Sequence, residues 1–95
     1  MDLSIVIPAY NEEESIPELI DSIKDAIALS ILYEIIIIDD GSSDNSWEFI
    51  KNQVSKNSFV KGIRFIKNNG KSAALDIGFK HSSGKVVITM DADLQ

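Results

Sequence analysis

The sequence predicts an α/β domain with a doubly wound, mainly parallel sheet built from alternating βαβ units, and three observations support this fold class. Four runs rich in β-branched and other apolar residues predict strands at Leu3–Ile7, Tyr33–Ile38, Phe59–Ile66 and Val86–Met90. These runs lack the polar alternation of a half-exposed strand, as is typical of parallel strands covered on both faces. Each gap between two runs carries apolar residues at helical spacing, which completes a pattern of consecutive right-handed βαβ units.

Each of the three gaps predicts one helix with a single apolar stripe. The stripes consist of Ile16, Leu19, Ile20, Ile23, Ala26 and Ile27 in the first gap, Trp47, Ile50 and Val54 in the second, and Ala74, Leu75, Gly78 and Phe79 in the third. The first helix is expected to begin at Ser15, because Ser15 and Glu18 have the spacing of a capping box and Pro17 suits a first turn. No helical pattern follows the fourth run, so Met90 is expected on a strand with one face open to water.

Length and composition restrict the class of protein. Ninety-five residues with 44% hydrophobic content suffice for one small domain, and the chain has no cysteine for a disulfide or a thiolate metal site. No apolar run approaches the roughly 20 residues that span a bilayer, and no basic and apolar leader begins the chain, so a cytoplasmic location is expected. The net charge of −6 argues against a nucleic-acid partner. An anionic ligand would need a cation between itself and the acidic chain.

Polar side chains gather where the four predicted strands end, which is where ligands bind in an open parallel sheet. The strand ends read PAYNEEE, DDGSSD, KNNGK and DADLQ, and three of the four are acidic. In the first, Tyr10 and Glu12 combine an aromatic face with a carboxylate and suit a nucleoside. Glu13 and Glu14 are explained more simply by the positive end of the following helix dipole.

The second strand leads into Asp39 and Asp40, whose side chains are expected to face opposite sides of the sheet and to serve separate roles. Ser43 or Asp44 can cap the following helix, which leaves the aspartate pair unexplained. A carboxylate can accept a hydrogen bond from a base N–H or from ribose hydroxyls. The residues alone leave both a ligand role and a structural role open for this pair.

The third and fourth strand ends carry groups suited to phosphate and metal. Gly70 permits close backbone approach at a strand-to-helix turn and Lys71 adds a positive charge, although Lys71 also fits an ordinary surface position. Asp91 and Asp93 are separated by one residue, so in an extended chain both face the same side. Two carboxylates this close favour a nearby cation, and their hard oxygen atoms suit Mg²⁺ or Mn²⁺. The one histidine, His81, is expected to be solvated.

In this order and spacing, VIPAYNEEESI, IIIIDDGSSDNS, NNGKSAALDIG and DADLQ resemble the motifs of family 2 glycosyltransferases of the GT-A fold. The resemblance covers the whole chain and implies the Rossmann-like, nucleotide-binding half of that fold. GKSAAL and DADLQ together are most similar to the branch that transfers sugars to polyprenyl or dolichyl phosphate.

The resemblance implies a site for a nucleotide-diphosphate sugar. By this resemblance its residues are Pro8, Ala9, Tyr10, Glu12, Asp39, Asp40, Gly70, Lys71, Asp91, Ala92 and Asp93. It implies that Glu12 lies near the ribose, that Asp40 recognises the base and that Asp39 helps to shape the same pocket. It also implies that Gly70 and Lys71 close over the nucleotide and its phosphates.

Asp91, Ala92 and Asp93 match the D-x-D motif of that family, in which the two aspartates hold a Mg²⁺ or Mn²⁺ ion on the donor diphosphate. The implied chemistry is inverting transfer of a sugar from a UDP- or GDP-sugar to an acceptor such as a polyprenyl phosphate or a glycan. Such reactions build cell-envelope polysaccharides or glycolipids.

The acceptor half of the domain is expected beyond Gln95, together with any catalytic base and any membrane segment. Residues 1–95 are therefore expected to form the donor-binding part of a truncated glycosyltransferase domain, without transferase activity of their own. Membrane association and oligomerisation of the longer parent stay open.

Two alternative functions follow from the same residues. A non-catalytic nucleotide-binding or interaction module would suit the short chain. A receiver-type phosphoacceptor domain also clusters aspartates at the strand ends of a doubly wound sheet. In a receiver the acidic pair follows the first strand, whereas the first strand here is followed by PAYNE.

Overall fold

Strands and helices alternate throughout the computed structural model, which describes residues 1–92. The elements within this range are β1 (Leu3–Ala9), α1 (Ser15–Ala26), β2 (Tyr33–Asp40), α2 (Ser46–Lys56), β3 (Val60–Phe65), α3 (Lys71–His81) and β4 (Val86–Thr89). The strands form one parallel sheet in the order β3-β2-β1-β4. The predicted α/β class is therefore confirmed.

A flavodoxin-like receiver places β3 beside β1, so the observed order excludes the receiver-type alternative.

The two central strands are buried on both faces, as their continuous apolar runs predict. On one face, Ile5 and Ile7 of β1 pack with the apolar residues of α1 and with Ile50 of α2, and we call this the α1/α2 face. On the other, which we call the α3 face, Val6 packs with Ala74 of α3 and with alternate residues of β2. Each fully buried isoleucine contributes roughly 1.5–3 kcal/mol relative to an exposed one.

Helix α3 packs directly against the sheet at Ala74 and Gly78, the small residues that face it. A Cβ atom at Gly78 would lie 2.4 Å from Val6 Cγ1 and 2.9 Å from Ile38 Cδ1, and Ala74 is fully buried. Phe79, which was predicted to belong to the same stripe, is instead 46% exposed. Fewer residues of α3 therefore contact the sheet than the apolar spacing predicts.

Several other apolar residues lie outside the core, and the predicted stripes and strands need correction there. Ala26 and Val54 are exposed, since only the inner edge of each stripe reaches the sheet. Ile66 lies beyond the end of β3 and is exposed. All four residues of β4 are exposed, because β4 is an edge strand that pairs with β1 alone, while α3 packs on β1 and β2.

The ends of the elements also differ from the sequence prediction. Strands β1 and β2 run two residues further than their apolar runs, so Asp39 and Asp40 belong to the sheet and pair with β3. Helix α1 begins at Ser15 as predicted, but the capping box is wrong. The cap position is Glu14, whose side chain makes no capping hydrogen bond.

A buried carboxylate, Glu34, joins three strands at the amino-terminal end of the sheet. It is 1% exposed and accepts hydrogen bonds from the Ser4 hydroxyl at 2.6 Å, from Lys61 Nζ at 2.8 Å and from the Ser83 N–H at 2.7 Å. Burial by itself would raise the pKa of Glu34, but the donors from Lys61, Ser4 and Ser83 outweigh it and lower the pKa to about 2. Glu34 is therefore an ionised residue of the core.

Among the helices of residues 1–92, none combines the length and the apolar character needed to cross a membrane.

Candidate functional site

An open cavity of about 310 Å³ lies at the carboxyl ends of β1, β2 and β4. Its volume is at the lower end of the roughly 300–1,000 Å³ of small-molecule sites. The chain winds from β1 through β3 in one direction and then crosses to β4 on the other side of β1. The cavity therefore lies near the reversal of strand order, where open α/β sheets bind their ligands. It is lined by Pro8, Ala9, Tyr10, Glu12, Asp40, Lys71, Asp91 and Ala92.

The loop after β1 supplies one wall of this cavity. Pro8 and Ala9 end the strand, and Tyr10 follows with 48% of its surface exposed. Glu12 lines the same cavity two residues later. The wall thus offers an aromatic face and a carboxylate side by side, a combination that can stack on a base and accept a hydrogen bond from a hydroxyl.

Asp40 connects the cavity to the turn between β3 and α3. Its Oδ1 accepts the N–H of Asn69 at 2.8 Å, and its Oδ2 accepts the Gly70 N–H at 3.1 Å and the Asn68 side-chain amide at 3.2 Å. A carboxylate has about four acceptor positions, and donors within residues 1–92 use three of those on Asp40, which leaves one position on Oδ1. Asp40 therefore holds the turn before α3 and keeps room for a ligand donor.

Lys71 and Asp91 both line the cavity and are in contact with each other. Lys71 is the first residue of α3, and its Nζ lies 2.8 Å from Asp91 Oδ1 in an ion pair whose side chains are both mostly exposed. Gly70, the residue before, does not line the cavity. Its φ of +97° suits glycine, and its N–H is held by Asp40.

The metal prediction rests on Asp91 and Asp93, and Asp93 lies outside the described residues. Within residues 1–92 no group of three or more His, Cys, Asp or Glu residues could hold a metal ion. Mg²⁺ is usually bound through one or two carboxylates plus substrate phosphates, so a three-residue cluster is not required. Asp91 presents a solvent-accessible carboxylate at the cavity and already attracts one cation, Lys71, which fits that kind of site.

Asp39 points away from the cavity, into the α1/α2 face. It is fully buried; its Oδ1 accepts the Ser42 N–H at 3.0 Å, and Arg64 Nε lies 4.0 Å from its Oδ2. Within residues 1–92, Oδ2 has no hydrogen-bond partner. Asp39 and Asp40 therefore face opposite sides of the sheet, as predicted. Asp40 lines the cavity, whereas Asp39, which was predicted to help shape the same pocket, does not.

Two residues that hold the site together are missing from the predicted set. Gly41 has a φ of +72°, and a Cβ there would lie 2.2 Å from the backbone nitrogen of Asn68, so the turn after β2 lies directly against the turn after β3. Asn11 also has a positive φ, +53°, and its side chain bonds to the turn after β2. A sequence signal exists only for Gly41, which follows two aspartates at a turn.

Comparison with known proteins agrees with this geometry. Residues 4–95 match the family model described as Glycosyl transferase family 2. A relative from Salmonella choleraesuis (strain SC-B67), undecaprenyl-phosphate 4-deoxy-4-formamido-L-arabinose transferase, is 48% identical in an alignment 95 residues long. The alignment covers 98% of this chain and 29% of the relative. The chain therefore spans less than a third of that relative's length.

Solved structures share the fold. S. aureus TarS 1-349 has a TM-score of 0.86 at 26% identity, over 98% of this chain and 28% of that chain. The same protein in complex with UDP-GlcNAc has a TM-score of 0.83 at 26% identity, over 98% of this chain and 27% of that chain. A third structure is the mannosyltransferase PcManGT from Pyrobaculum calidifontis in complex with GDP-Man and Mn²⁺. It has a TM-score of 0.87 at 24% identity, over 96% of this chain and 27% of that chain. This likeness concerns the fold alone.

These neighbours are glycosyltransferases of the GT-A fold, as the sheet order and the strand-end cavity of this chain lead one to expect. With a family match that begins at residue 4 and extends to residue 95, this chain belongs to glycosyl transferase family 2.

Proposed function

We propose that this chain is the donor-binding part of an inverting glycosyltransferase, which transfers a sugar from a nucleoside-diphosphate sugar to a polyprenyl phosphate. The observation that carries the proposal is the cavity in which Tyr10, Asp40, Lys71 and Asp91 meet. The acceptor class rests on the relative at 48% identity, whose name states an undecaprenyl-phosphate acceptor. The donor class is supported by the neighbour that was solved with UDP-GlcNAc.

In this proposal the part of the cavity lined by Tyr10, Glu12 and Asp40 binds the nucleoside. The Tyr10 ring offers a face for the base, and Glu12 can accept a hydrogen bond from a ribose hydroxyl. Asp40 can accept one base N–H through the remaining position on Oδ1, while its other bonds keep the turn before α3 in place.

Lys71 and Asp91 are proposed to bind the diphosphate end of the donor. Lys71 stands at the first turn of α3, where the helix dipole and a positive side chain both favour phosphate. Asp91 and Asp93 would hold a Mg²⁺ or Mn²⁺ ion, which when bound stabilises the negative charge on the leaving diphosphate.

The proposed reaction exchanges one bond at the sugar. An ionised oxygen of the acceptor phosphate forms a bond to C1, while the bond between C1 and the diphosphate oxygen breaks and its electron pair remains on the diphosphate. A phosphate acceptor is already deprotonated, so the reaction needs no strong general base. The residues described here orient the donor and supply positive charge at the diphosphate.

Calorimetric titration of the chain with UDP, GDP and dTDP, with and without Mn²⁺, tests the nucleotide site. We expect weak binding of UDP or GDP, strengthened about tenfold or more by Mn²⁺, because the acidic wall and the phosphates repel each other without a cation. Circular dichroism of the same sample establishes that it is folded. A folded chain that binds none of the three nucleotides with Mn²⁺ contradicts the proposal.

Replacing Lys71 by methionine is expected to weaken the binding of the nucleoside diphosphate about fivefold to tenfold and to leave binding of the nucleoside unchanged. The reason is that the ammonium group contributes at the phosphates and not at the base. The matched control is Lys80→Met, which removes a lysine from the far end of the same helix, where it pairs with Asp76. Equal losses in the two variants would argue against a phosphate role for Lys71.

A further inference from the structure

We propose that Asn11 is a positioning residue of the donor site. Its side chain attaches the loop that carries Tyr10 and Glu12 to the loop that follows Asp40, and so fixes two walls of the cavity relative to each other. This inference rests on the proposed nucleotide-binding function. It assigns to Asn11 a role that differs from direct ligand contact, because Asn11 does not line the cavity.

The backbone of Asn11 turns the loop away from the sheet. Its φ of +53° lies in the left-handed region, which asparagine tolerates better than most residues with a side chain. As a result Tyr10 and Glu12, on either side of it, both face the cavity, while the Asn11 side chain points to the neighbouring loop.

The side-chain carbonyl of Asn11 is the centre of the attachment. Asn11 Oδ1 accepts the Ser43 N–H at 2.9 Å, the Ser43 hydroxyl at 3.3 Å and the Asp44 N–H at 3.4 Å. In the opposite direction, the Asn11 N–H donates to the Ser42 hydroxyl at 2.9 Å. One residue of the first loop thus bonds to three consecutive residues of the second.

Ser46 provides a second attachment between the same two loops. Its hydroxyl is fully buried and accepts the Glu12 N–H at 2.9 Å. The Ser46 N–H in turn donates to Asp44 Oδ1 at 2.9 Å. Desolvation alone would raise the pKa of Asp44, but hydrogen bonds from Ser46 and from the Glu13 N–H lower it, so Asp44 stays ionised as an acceptor.

These hydrogen bonds fix the positions of the residues that line the cavity and take no part in the packing of the apolar core. The apolar clusters of the two sheet faces contain neither Asn11 nor the residues it bonds to. A ligand that contacts both Tyr10, in the loop after β1, and Asp40, at the end of β2, needs that loop at a fixed distance from the end of β2. Small misplacements of binding groups are costly. Loss of the attachment should therefore appear mainly as a loss of nucleotide affinity.

The decisive comparison uses Asn11→Gly and Asn11→Asp. Glycine keeps the left-handed backbone and removes the acceptor, whereas aspartate keeps an acceptor oxygen for the Ser43 and Asp44 N–H groups. Ser43→Ala is the matched control, because it removes only the bond from the Ser43 hydroxyl at 3.3 Å and leaves the bonds from the Ser43 and Asp44 N–H groups intact.

The measurement is calorimetric titration with UDP and with GDP in the presence of Mn²⁺, at a temperature where thermal melting shows every variant folded. We expect Asn11→Gly to weaken binding about tenfold, and Asn11→Asp and Ser43→Ala to stay within about threefold of the wild type. Equal affinities of Asn11→Gly and the wild type would overturn the role of Asn11 and leave the proposed function intact. A folded wild-type chain that binds neither nucleotide would overturn both.

Discussion

Replacing Glu34 by glutamine is expected to lower the free energy of unfolding by about 3 kcal/mol at neutral pH. The carboxylate is buried and accepts charged and neutral donors from Ser4, Lys61 and Ser83. A glutamine of the same shape offers one acceptor oxygen instead of two and turns an NH₂ group toward donors. The buried donors are then left partly unsatisfied, and this costs more than the loss of an exposed ion pair.

The same change is expected to remove a specific pH dependence of stability. The pKa of Glu34 in the folded state, about 2, lies below the ordinary value of 4.5. The ionised carboxylate therefore stabilises the fold fully above about pH 4.5, and this contribution is lost as the pH falls toward 2. The difference in stability between the wild type and Glu34→Gln should shrink over that interval.

Urea unfolding followed by circular dichroism at several pH values between 7 and about 3 measures both effects. Glu48→Gln is the matched control, because Glu48 is exposed on α2 and pairs with the exposed Lys51, so a change within about 0.5 kcal/mol is expected. A destabilisation by Glu34→Gln that is small, or that stays constant down to pH 3, would contradict the assigned role of the buried carboxylate.

Replacing Gly41 by alanine is expected to destabilise the chain by about 3 kcal/mol or more and to abolish the proposed nucleotide binding at accessible concentrations. The Cβ atom would lie 2.2 Å from Asn68 N and 2.3 Å from the Lys67 carbonyl carbon. Both are backbone atoms, so the turn after β3 must move away. That movement breaks the bonds from Asn69 and Gly70 to Asp40 and displaces Lys71.

Gly70→Ala is the matched control for this prediction. Gly70 also has a positive φ, +97°, but among residues 1–92 no atom would lie within 4 Å of an added Cβ. Its substitution carries backbone strain without a steric clash, at a cost of roughly 1–3 kcal/mol. Urea unfolding of both variants separates the two effects, and a Gly41→Ala variant no less stable than Gly70→Ala would show that the turns can separate freely.

The fold and the place of the site could be predicted because both depend on patterns within single elements. Apolar runs mark the strands, and parallel strands bring their carboxyl ends to one edge, so Tyr10, Asp40, Lys71 and Asp91 meet as expected. The prediction that the ligand is a nucleotide came from the resemblance to a known family.

The bonds between elements could not be predicted from patterns of that kind. Glu34 is the second residue of the predicted run Tyr33–Ile38, and nothing in the sequence pattern indicates that Ser4 and Ser83 will donate hydrogen bonds to it. Asn11 belongs to a loop in which every polar side chain could face a ligand, and only the left-handed backbone turns it elsewhere. The exposure of β4 was underestimated because apolar content does not reveal which strand lies at an edge.

Glu34 and Asp40 both place a carboxylate on the α3 face of β2, and together they determine the register of this strand. Between them lie four identical isoleucines, Ile35–Ile38, and a slide of the strand by two positions would still place an isoleucine at two of these four buried positions. The apolar middle of β2 therefore discriminates poorly between the correct alignment and its nearest competitor.

The charged ends remove this ambiguity. Glu34 finds donors in the loop after α3, and Asp40 finds donors in the turn before α3. A slide by two positions would push one carboxylate beneath the helix, where Ala74 and Gly78 leave no donor and no space. The hydrophobic run thus stabilises β2 in the sheet. The hydrogen bonds of Glu34 and Asp40 make the observed strand register much more stable than a register shifted by two residues.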